Sequence, residues 1–212
     1  GSTRDPAPAV LTHAHVMANV EAICHELPDE ALEGGGGCVG WLPLYHDMGL
    51  LGCMLTTIRC QRELTLIPPE LFLVKPAVWL RAISEYGAHV TTAPNFAYAR
   101  CVTHISDDEL EGADLSAWIV AMNGAEPVSA DTMRAFADRF SMYGFRRQAL
   151  LPVYGMSEAA LAVSFSNAFQ ATVFDRDELS KGRAIPAAEG VELVSVGHPL
   201  VGFDLEIRED SR

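Results

Sequence analysis

The chain has 212 residues, 49% of them apolar, with 17 Gly and 12 Pro dispersed through it, which suffices for one sizeable core. Fifteen Lys and Arg stand against 28 Asp and Glu, a formal charge of −13. That balance speaks against nucleic acid and anionic membrane as partners, because both are held by clustered cations. No apolar run approaches the ~18 residues needed to cross a bilayer, and the start lacks the basic-then-apolar pattern of a secretory signal, so a soluble cytoplasmic protein is expected.

In chain order, Val16, Val20, Ile23 and Leu27 recur at helical spacing and predict a helix over 14–27, closed by Pro28. Acidic residues and then four successive glycines, 34–37, read as a flexible connection. Strands are predicted at 38–42, 64–67, 89–92, 118–122 and 150–154, and helices at 76–86, 96–104 and 130–142, with a short one after 154. Such alternation predicts an α/β fold, a mostly parallel sheet flanked by helices. Ligands of such sheets bind beyond the carboxyl ends of the strands, so the loops at 46–47, 93–95, 123–127 and 155–158 are where chemistry is expected.

The tail differs. Residues 172–188 are charged and Pro-bearing, while 191–196 and 203–207 alternate like strands around Gly197-His198-Pro199. This predicts an α/β unit over 1–165, followed over 166–212 by a charged loop and the start of a β-rich subdomain.

The five cysteines, Cys24, Cys38, Cys53, Cys60 and Cys101, are odd in number, scattered among apolar neighbours and form no CxxC pair, so they read as reduced core residues rather than a disulfide or zinc framework. His13 and His15 stand close together, but no carboxylate or Cys completes a metal site beside them; loop and cap chemistry is the expectation.

Five segments carry groups in patterns suited to chemistry. Gly1-Ser2-Thr3-Arg4-Asp5-Pro6 offers small residues and hydroxyls that let an anion approach the backbone. Gly40-Trp41-Leu42-Pro43-Leu44-Tyr45-His46-Asp47-Met48-Gly49-Leu50 places a histidine where it either caps the next helix with Asp47 or faces a ligand. In Thr91-Thr92-Ala93-Pro94-Asn95-Phe96-Ala97-Tyr98, Phe96 and Tyr98 either line an apolar tunnel or sit in the core. Asn123-Gly124-Ala125-Glu126-Pro127 can lie flat against a purine, or is a plain strand-to-helix turn. Tyr154-Gly155-Met156-Ser157-Glu158 offers an aromatic face, a hydroxyl and a carboxylate suited to a hard cation, or simply starts a helix.

In this order the five resemble the motifs of the adenylate-forming superfamily, which includes acyl-CoA synthetases and adenylation domains. The second is similar, nearly word for word, to the fatty acyl-AMP ligase version, and Ser157, where most members carry Thr, leans the same way. The resemblance implies ATP and Mg²⁺ as cofactors, a fatty acid as substrate and an acyl carrier protein as acceptor in lipid or polyketide assembly. It implies catalytic roles for His46, Ser157 and Glu158, with Glu158 also the metal ligand. Nucleotide contacts would come from Ser2, Thr3, Asn123, Gly124, Ala125, Glu126, Pro127, Tyr154, Gly155, Met156 and Ser157, and acyl contacts from His46, Asn95, Phe96 and Tyr98. The tail resembles the ligases' insertion, which restricts the mobile C-terminal domain and disfavours transfer to coenzyme A.

The sequence departs from the family at the phosphate loop, where Ala7 and Pro8 stand in place of Lys and Gly. Relative to the family, the chain resembles an excerpt from the middle of the large domain. Two other functions stay open at this point: a long-chain acyl-CoA synthetase, and a degenerate, non-catalytic domain that binds acyl groups or nucleotides.

Overall fold

The fold was analysed in a computed structural model, which describes residues 8–208. Helix α1 (His13–Glu26) starts at Thr12, whose hydroxyl accepts from His15 N while His15 Nδ1 accepts from Thr12 N, so His15 does serve as a cap. A short α2 (Asp29–Leu32) interrupts the segment read as a flexible connection. Then follow β1 (Cys38–Gly40), a π-helix (Met48–Leu55), α3 (Thr56–Arg59), β2 (Leu64–Leu66), α4 (Pro69–Val74) and α5 (Ala77–Glu85). The chain continues through β3 (Val90–Pro94), α6 (Asn95–His104), β4 (Val120–Gly124), α7 (Ala130–Phe140), β5 (Leu150–Gly155) and β6 (Ala162–Phe165). It ends with β7 (Ala171–Phe174), α8 (Arg176–Ser180), β8 (Val191–Val194) and β9 (His198–Pro199).

The main sheet runs β2-β1-β3-β4-β5-β6-β9. Its first five strands are parallel, and β6 and β9 add antiparallel at one edge. The expected mostly parallel sheet flanked by helices is therefore present. Strand β4 explains how the two faces are built, because neighbouring side chains point to opposite sides of a pleated strand. Ala121 joins a core with α5, α6 and α7, whose centre is Trp79, Trp118, Tyr98, Phe136 and Phe140. Val120 and Met122 join the opposite core, against Ile23 of α1, Met48 and Leu51 of the π-helix, and Leu161, Ala162 and Phe165 around β6.

The tail differs from its expectation. Val191–Val194 pairs with Ala171–Phe174 in a separate two-stranded sheet, His198–Pro199 is itself a strand against β6, and 203–207 forms no strand. The charged stretch 172–188 contains α8, and the hairpin is tied to α7 by a two-point ion pair between Arg134 and Glu192. That guanidinium holds the Glu192 carboxyl below the usual carboxylate range. All five cysteines are free thiols; Cys38, Cys53 and Cys101 are buried, whereas Cys24 and Cys60 are half-buried and meet at 2.8 Å between α1 and the end of α3.

The π-helix was not predicted. Its eight residues are apolar with two glycines and carry no clear 3.6-residue stripe. Its ends are fastened instead by side chains: Asp47 Oδ1 accepts from Met48 N at 2.8 Å, and Thr56 Oγ1 donates to the Leu51 carbonyl at 2.7 Å. Wide turns of this kind recur at functional sites, and this one forms a wall of the cleft described next.

Candidate active site

An open cleft lies at the carboxyl ends of β3, β4 and β5, where ligands of such sheets bind. Thr92, Met122 and Val153 bring the sheet to it, His46, Asp47, Met48 and Gly52 the π-helix and its approach, Ile23 comes from α1, and Leu161, Ala162 and Phe165 from β6 and the turn before it. Ala125 and the run Tyr154, Gly155, Met156 and Ser157 complete its rim. Its exposed rim carries Tyr154, His46 and Ser157 with Asp47 beside them, and its buried floor of Ile23, Met48, Leu161 and Phe165 is apolar.

Local geometry shows why the chain turns here. Ala125 follows β4 with φ +67°, in the left-handed region that a residue with a Cβ adopts only at a cost, and strain of this kind concentrates at ligand sites. At the end of β5 the register with β6 shifts between Tyr154 and Gly155, and a Cβ on Gly155 would lie 2.1 Å from the Leu161 carbonyl oxygen. Only glycine lets the two backbones approach so closely. Beyond it Ser157–Ala159 forms a single 3₁₀ turn in place of the expected short helix.

The polar end is a connected set. Ser157 Oγ donates to Asp47 Oδ2 at 2.5 Å, and the other oxygen of that carboxylate lies 2.8 Å from His46 Nδ1. Glu158 is exposed on the same turn as Ser157, and its carboxylate has no hydrogen-bond or ion-pair partner among the described residues. No group of three or more His, Cys, Asp or Glu able to hold a metal occurs among the described residues. A cation here would thus rely on one or two carboxylates, a hydroxyl and ligand oxygens, which is the donor set Mg²⁺ accepts. The residues fit that ion.

Asn19 was not singled out from the sequence, yet it holds this turn in place. Its amide, 1% exposed, donates to the carbonyls of Ala162 at 2.7 Å and Ala159 at 3.2 Å and accepts from Ala162 N at 3.0 Å. A buried amide on an otherwise apolar helix face was the available signal. Asn19→Ala leaves these buried groups unpaired and is expected to lower stability by about 2 kcal/mol, read by thermal or denaturant unfolding. A change within about 0.5 kcal/mol would mean that water replaces the amide.

The predicted residues divide accordingly. His46, Ala125, Tyr154, Gly155, Met156 and Ser157 line the cleft, and Glu158 stands beside it. Gly124 ends β4 beneath Val153, and Glu126 and Pro127 are exposed on the loop beyond. Asn123 is buried and donates to Asn95 Oδ1 at 3.2 Å, which also accepts from Ser129 N at 3.1 Å, while Glu126 accepts from Phe96 N at 2.5 Å. Asn95 and Asn123 thus shape the loop from behind rather than face the cleft. Ser2 and Thr3 lie outside the described residues.

Two of the residues expected at an acyl chain do not line this cleft. Phe96 packs edge-on against Trp41 with ring centres 5.8 Å apart. Tyr98 is fully buried between Trp79 and Phe136 on the other face of the sheet, where burial pushes its phenol well above the ordinary tyrosine range. The apolar lining of the cleft comes from Ile23, Met48, Leu161 and Phe165, of which the apolar run after Glu158 was the sequence signal. Tyr98 donates to the Met122 carbonyl at 2.8 Å, so Tyr98→Phe is expected to cost about 1 kcal/mol in denaturant unfolding and leave ligand affinity unchanged. Lost affinity at unchanged stability would return Tyr98 to the site.

The family profile described as AMP-binding enzyme matches residues 1–212, and the chain belongs to that family. It is 40% identical over 196 residues to a medium-chain fatty-acid–[acyl-carrier-protein] ligase of Teredinibacter turnerae, covering 89% of this chain and 29% of that protein. It is 37% identical over 207 residues to a long-chain fatty-acid–AMP ligase of Mycobacterium tuberculosis, covering 94% of this chain and 36% of the relative. A solved chain from a study of fatty acyl-adenylate ligases of E. coli and L. pneumophila superposes with a TM-score of 0.89 at 38% identity, over 96% of this chain and 38% of the other. An L. pneumophila fatty acyl-adenylate ligase in complex with acyl adenylate and pyrophosphate gives 0.85 at 35% identity, over 94% of this chain and 36% of its own. The chain spans about a third of the length of the relatives it matches. Among the described residues no helix is long and apolar enough to cross a membrane.

Proposed function

We propose that this chain forms the nucleotide- and acyl-binding part of a fatty acyl-AMP ligase, which activates a fatty acid with ATP and passes the acyl group to an acyl carrier protein in the cytoplasm. The observation that supports the reading is the division of one cleft into an exposed polar rim of Tyr154, His46, Asp47 and Ser157 and a buried apolar floor of Ile23, Met48, Leu161 and Phe165. The two ends suit an adenylate and a hydrocarbon chain joined at one carboxyl phosphate.

In the reaction a carboxylate oxygen forms a bond to the α-phosphorus of ATP, and the bond to the β-phosphate oxygen breaks with its electron pair leaving on pyrophosphate. Both reactants are anions, so holding them in line against their repulsion is the main task. Tyr154 offers its ring to the adenine, 43% exposed at the rim. His46 stands beside the carboxyl, and Ser157 beside the α-phosphate. Mg²⁺, when bound by Glu158 with the Ser157 hydroxyl near, offsets the phosphate charge. The floor excludes water from the reacting carboxyl while it holds the chain.

The test is mass-spectrometric detection of products from this chain with ATP, Mg²⁺ and mixed fatty acids, with and without coenzyme A, alongside titration with a non-hydrolysable acyl-adenylate analogue. Acyl-adenylate without thioester supports the ligase. Rapid thioester selects an acyl-CoA synthetase, and neither product nor analogue binding removes the proposal for this chain.

A further inference from the structure

Of the five cysteines, Cys38, Cys53 and Cys101 are buried, and the two half-buried ones are neighbours of one another. Cys24 lies near the end of α1 and Cys60 directly after α3, 36 positions on, with their sulfurs 2.8 Å apart. A disulfide holds its sulfurs at ~2.05 Å, so closing the bond needs a movement of roughly 0.8 Å, a small adjustment of two side chains. Other contacts already hold the two elements in this register. Cys24 Sγ lies 3.9 Å from the Thr56 carbonyl oxygen, and Arg59 Nε donates to Glu21 Oε1 at 2.9 Å. Cys60 also lines a small open cavity with Leu27, Ala31, Leu32 and Arg62, which gives a small oxidant a way to its sulfur. Neither cysteine lines the cleft.

We propose that Cys24 and Cys60 form a thiol–disulfide site, which a hydroperoxide oxidises to a bridge fastening α1 to α3. The site stands independently of the function assigned to the cleft. Burial and the adjoining Cys60 sulfur push the Cys24 thiol up to about 12, so Cys24 keeps its proton at neutral pH and Cys60 attacks first. A bond forms between the Cys60 sulfur and one peroxide oxygen, the oxygen–oxygen bond breaks, and the thiol proton leaves with the departing hydroxide as water; Cys60 becomes a sulfenic acid. Cys24 then attacks that sulfur. The sulfur–sulfur bond forms, the sulfur–oxygen bond breaks, and the leaving hydroxide takes the Cys24 proton as a second water. Two thiols and one peroxide thus give one disulfide and two waters, and a thiol reductant reverses the bridge. The bridge closes a 36-position loop that contains β1 and the whole π-helix. Helix α1 carries Asn19, the brace of the turn after β5, and Ile23 of the cleft floor, while α3 continues the π-helix without a break. Two walls of the cleft are therefore tied covalently in the oxidised chain and by noncovalent contacts alone in the reduced one.

The test treats the reduced chain with hydrogen peroxide, alkylates the remaining thiols under denaturing conditions, and reads intact mass and peptide maps. The expected result is a monomer that has lost two hydrogens, with a Cys24–Cys60 cross-link and with Cys38, Cys53 and Cys101 alkylated. Thermal unfolding of the oxidised chain is expected about 5–15 °C above that of the reduced chain, because the closed loop restricts the unfolded state, and dithiothreitol should abolish the rise. In Cys24→Ser the bridge cannot form, and Cys60 is expected as a sulfenic acid trapped by dimedone, whereas Cys60→Ser should give no adduct at Cys24. If either variant fails to fold, the peptide map of the starting chain still decides. Unreacted Cys24 and Cys60 at a peroxide dose that fully oxidises free cysteine, a cross-link through Cys38, Cys53 or Cys101, or a disulfide-linked dimer in place of the internal bridge each overturns the proposal. A mapped bridge without a rise in melting temperature overturns the fastening of α1 to α3, and a dimedone adduct at Cys24 in Cys60→Ser overturns the order of attack.

Discussion

Trp79→Ala is expected to lower the stability of this domain by about 3–5 kcal/mol, the largest loss of any single truncation considered. The indole is fully buried on α5 and meets four other aromatic rings edge-on, Trp118 at 5.5 Å, Tyr98 at 5.6 Å, Phe72 at 5.7 Å and Trp41 at 6.4 Å. Five rings in contact leave no mobile neighbour to collapse into the gap, so the cavity term stays high. The Nε1 of Trp79 has no hydrogen-bond partner, so the loss is one of packing alone. Trp79→Phe, which also removes an unpaired buried N–H, is therefore expected to cost well under half as much. Thermal unfolding followed by circular dichroism should show a fall of about 6–20 °C for the alanine variant, using about 2–4 °C per kcal/mol for a domain of this size. Because this core lies across the sheet from the cleft, analogue affinity per folded molecule should not change. A fall of less than about 2 °C would mean that the aromatic cluster repacks.

Glu158→Gln is expected to abolish the Mg²⁺ dependence of ATP binding and leave the fold intact. The substitution keeps size and one oxygen but removes the charge that a hard cation requires. The Glu158 carboxylate has no hydrogen-bond or ion-pair partner among the described residues, so the fold loses no contact, and unfolding should stay within about 0.5 kcal/mol of the starting protein. Titration with ATP at zero and saturating Mg²⁺ reads the effect. The starting protein should bind more tightly with the metal by about ten- to hundredfold, the worth of one charge-assisted contact, and Glu158→Gln should bind equally in both. A variant that keeps the metal response removes Glu158 from the metal-binding role, and one that unfolds supports the plainer part of a helix-start carboxylate.

Much of this was legible in the sequence, for a reason that differs between elements. The strands ending at Pro94, Gly124 and Gly155 were readable because a parallel strand buried on both faces is a short apolar run, and the polar turn residues that follow mark where its carboxyl end opens. The π-helix was not readable, since its wide turns are stabilised by the Asp47 and Thr56 side chains at its ends rather than by a repeating stripe. The place of Tyr98 stayed open between tunnel and core because a motif specifies residue type, whereas the face of α6 on which it falls is set by how that helix docks on the sheet. The insertion-like tail could not be resolved into pairs either. Which strand β9 joins depends on the exposed edge of β6, a feature that exists only once the sheet has formed.

By itself the sequence determined the alternating α/β plan, the order of the loops that carry polar groups and the resemblance in which His46, Tyr154, Ser157 and Glu158 share one site. Those properties reside in spacing over a few residues, where backbone periodicity and turn chemistry act locally. Only the tertiary structure decided that the Ser157 hydroxyl donates to Asp47, that Asn19 braces the turn behind them, and that the apolar floor of the cleft is built from Ile23, Met48, Leu161 and Phe165. These contacts join positions far apart in the chain, and their partners are selected by sheet order and helix docking, which no local pattern encodes.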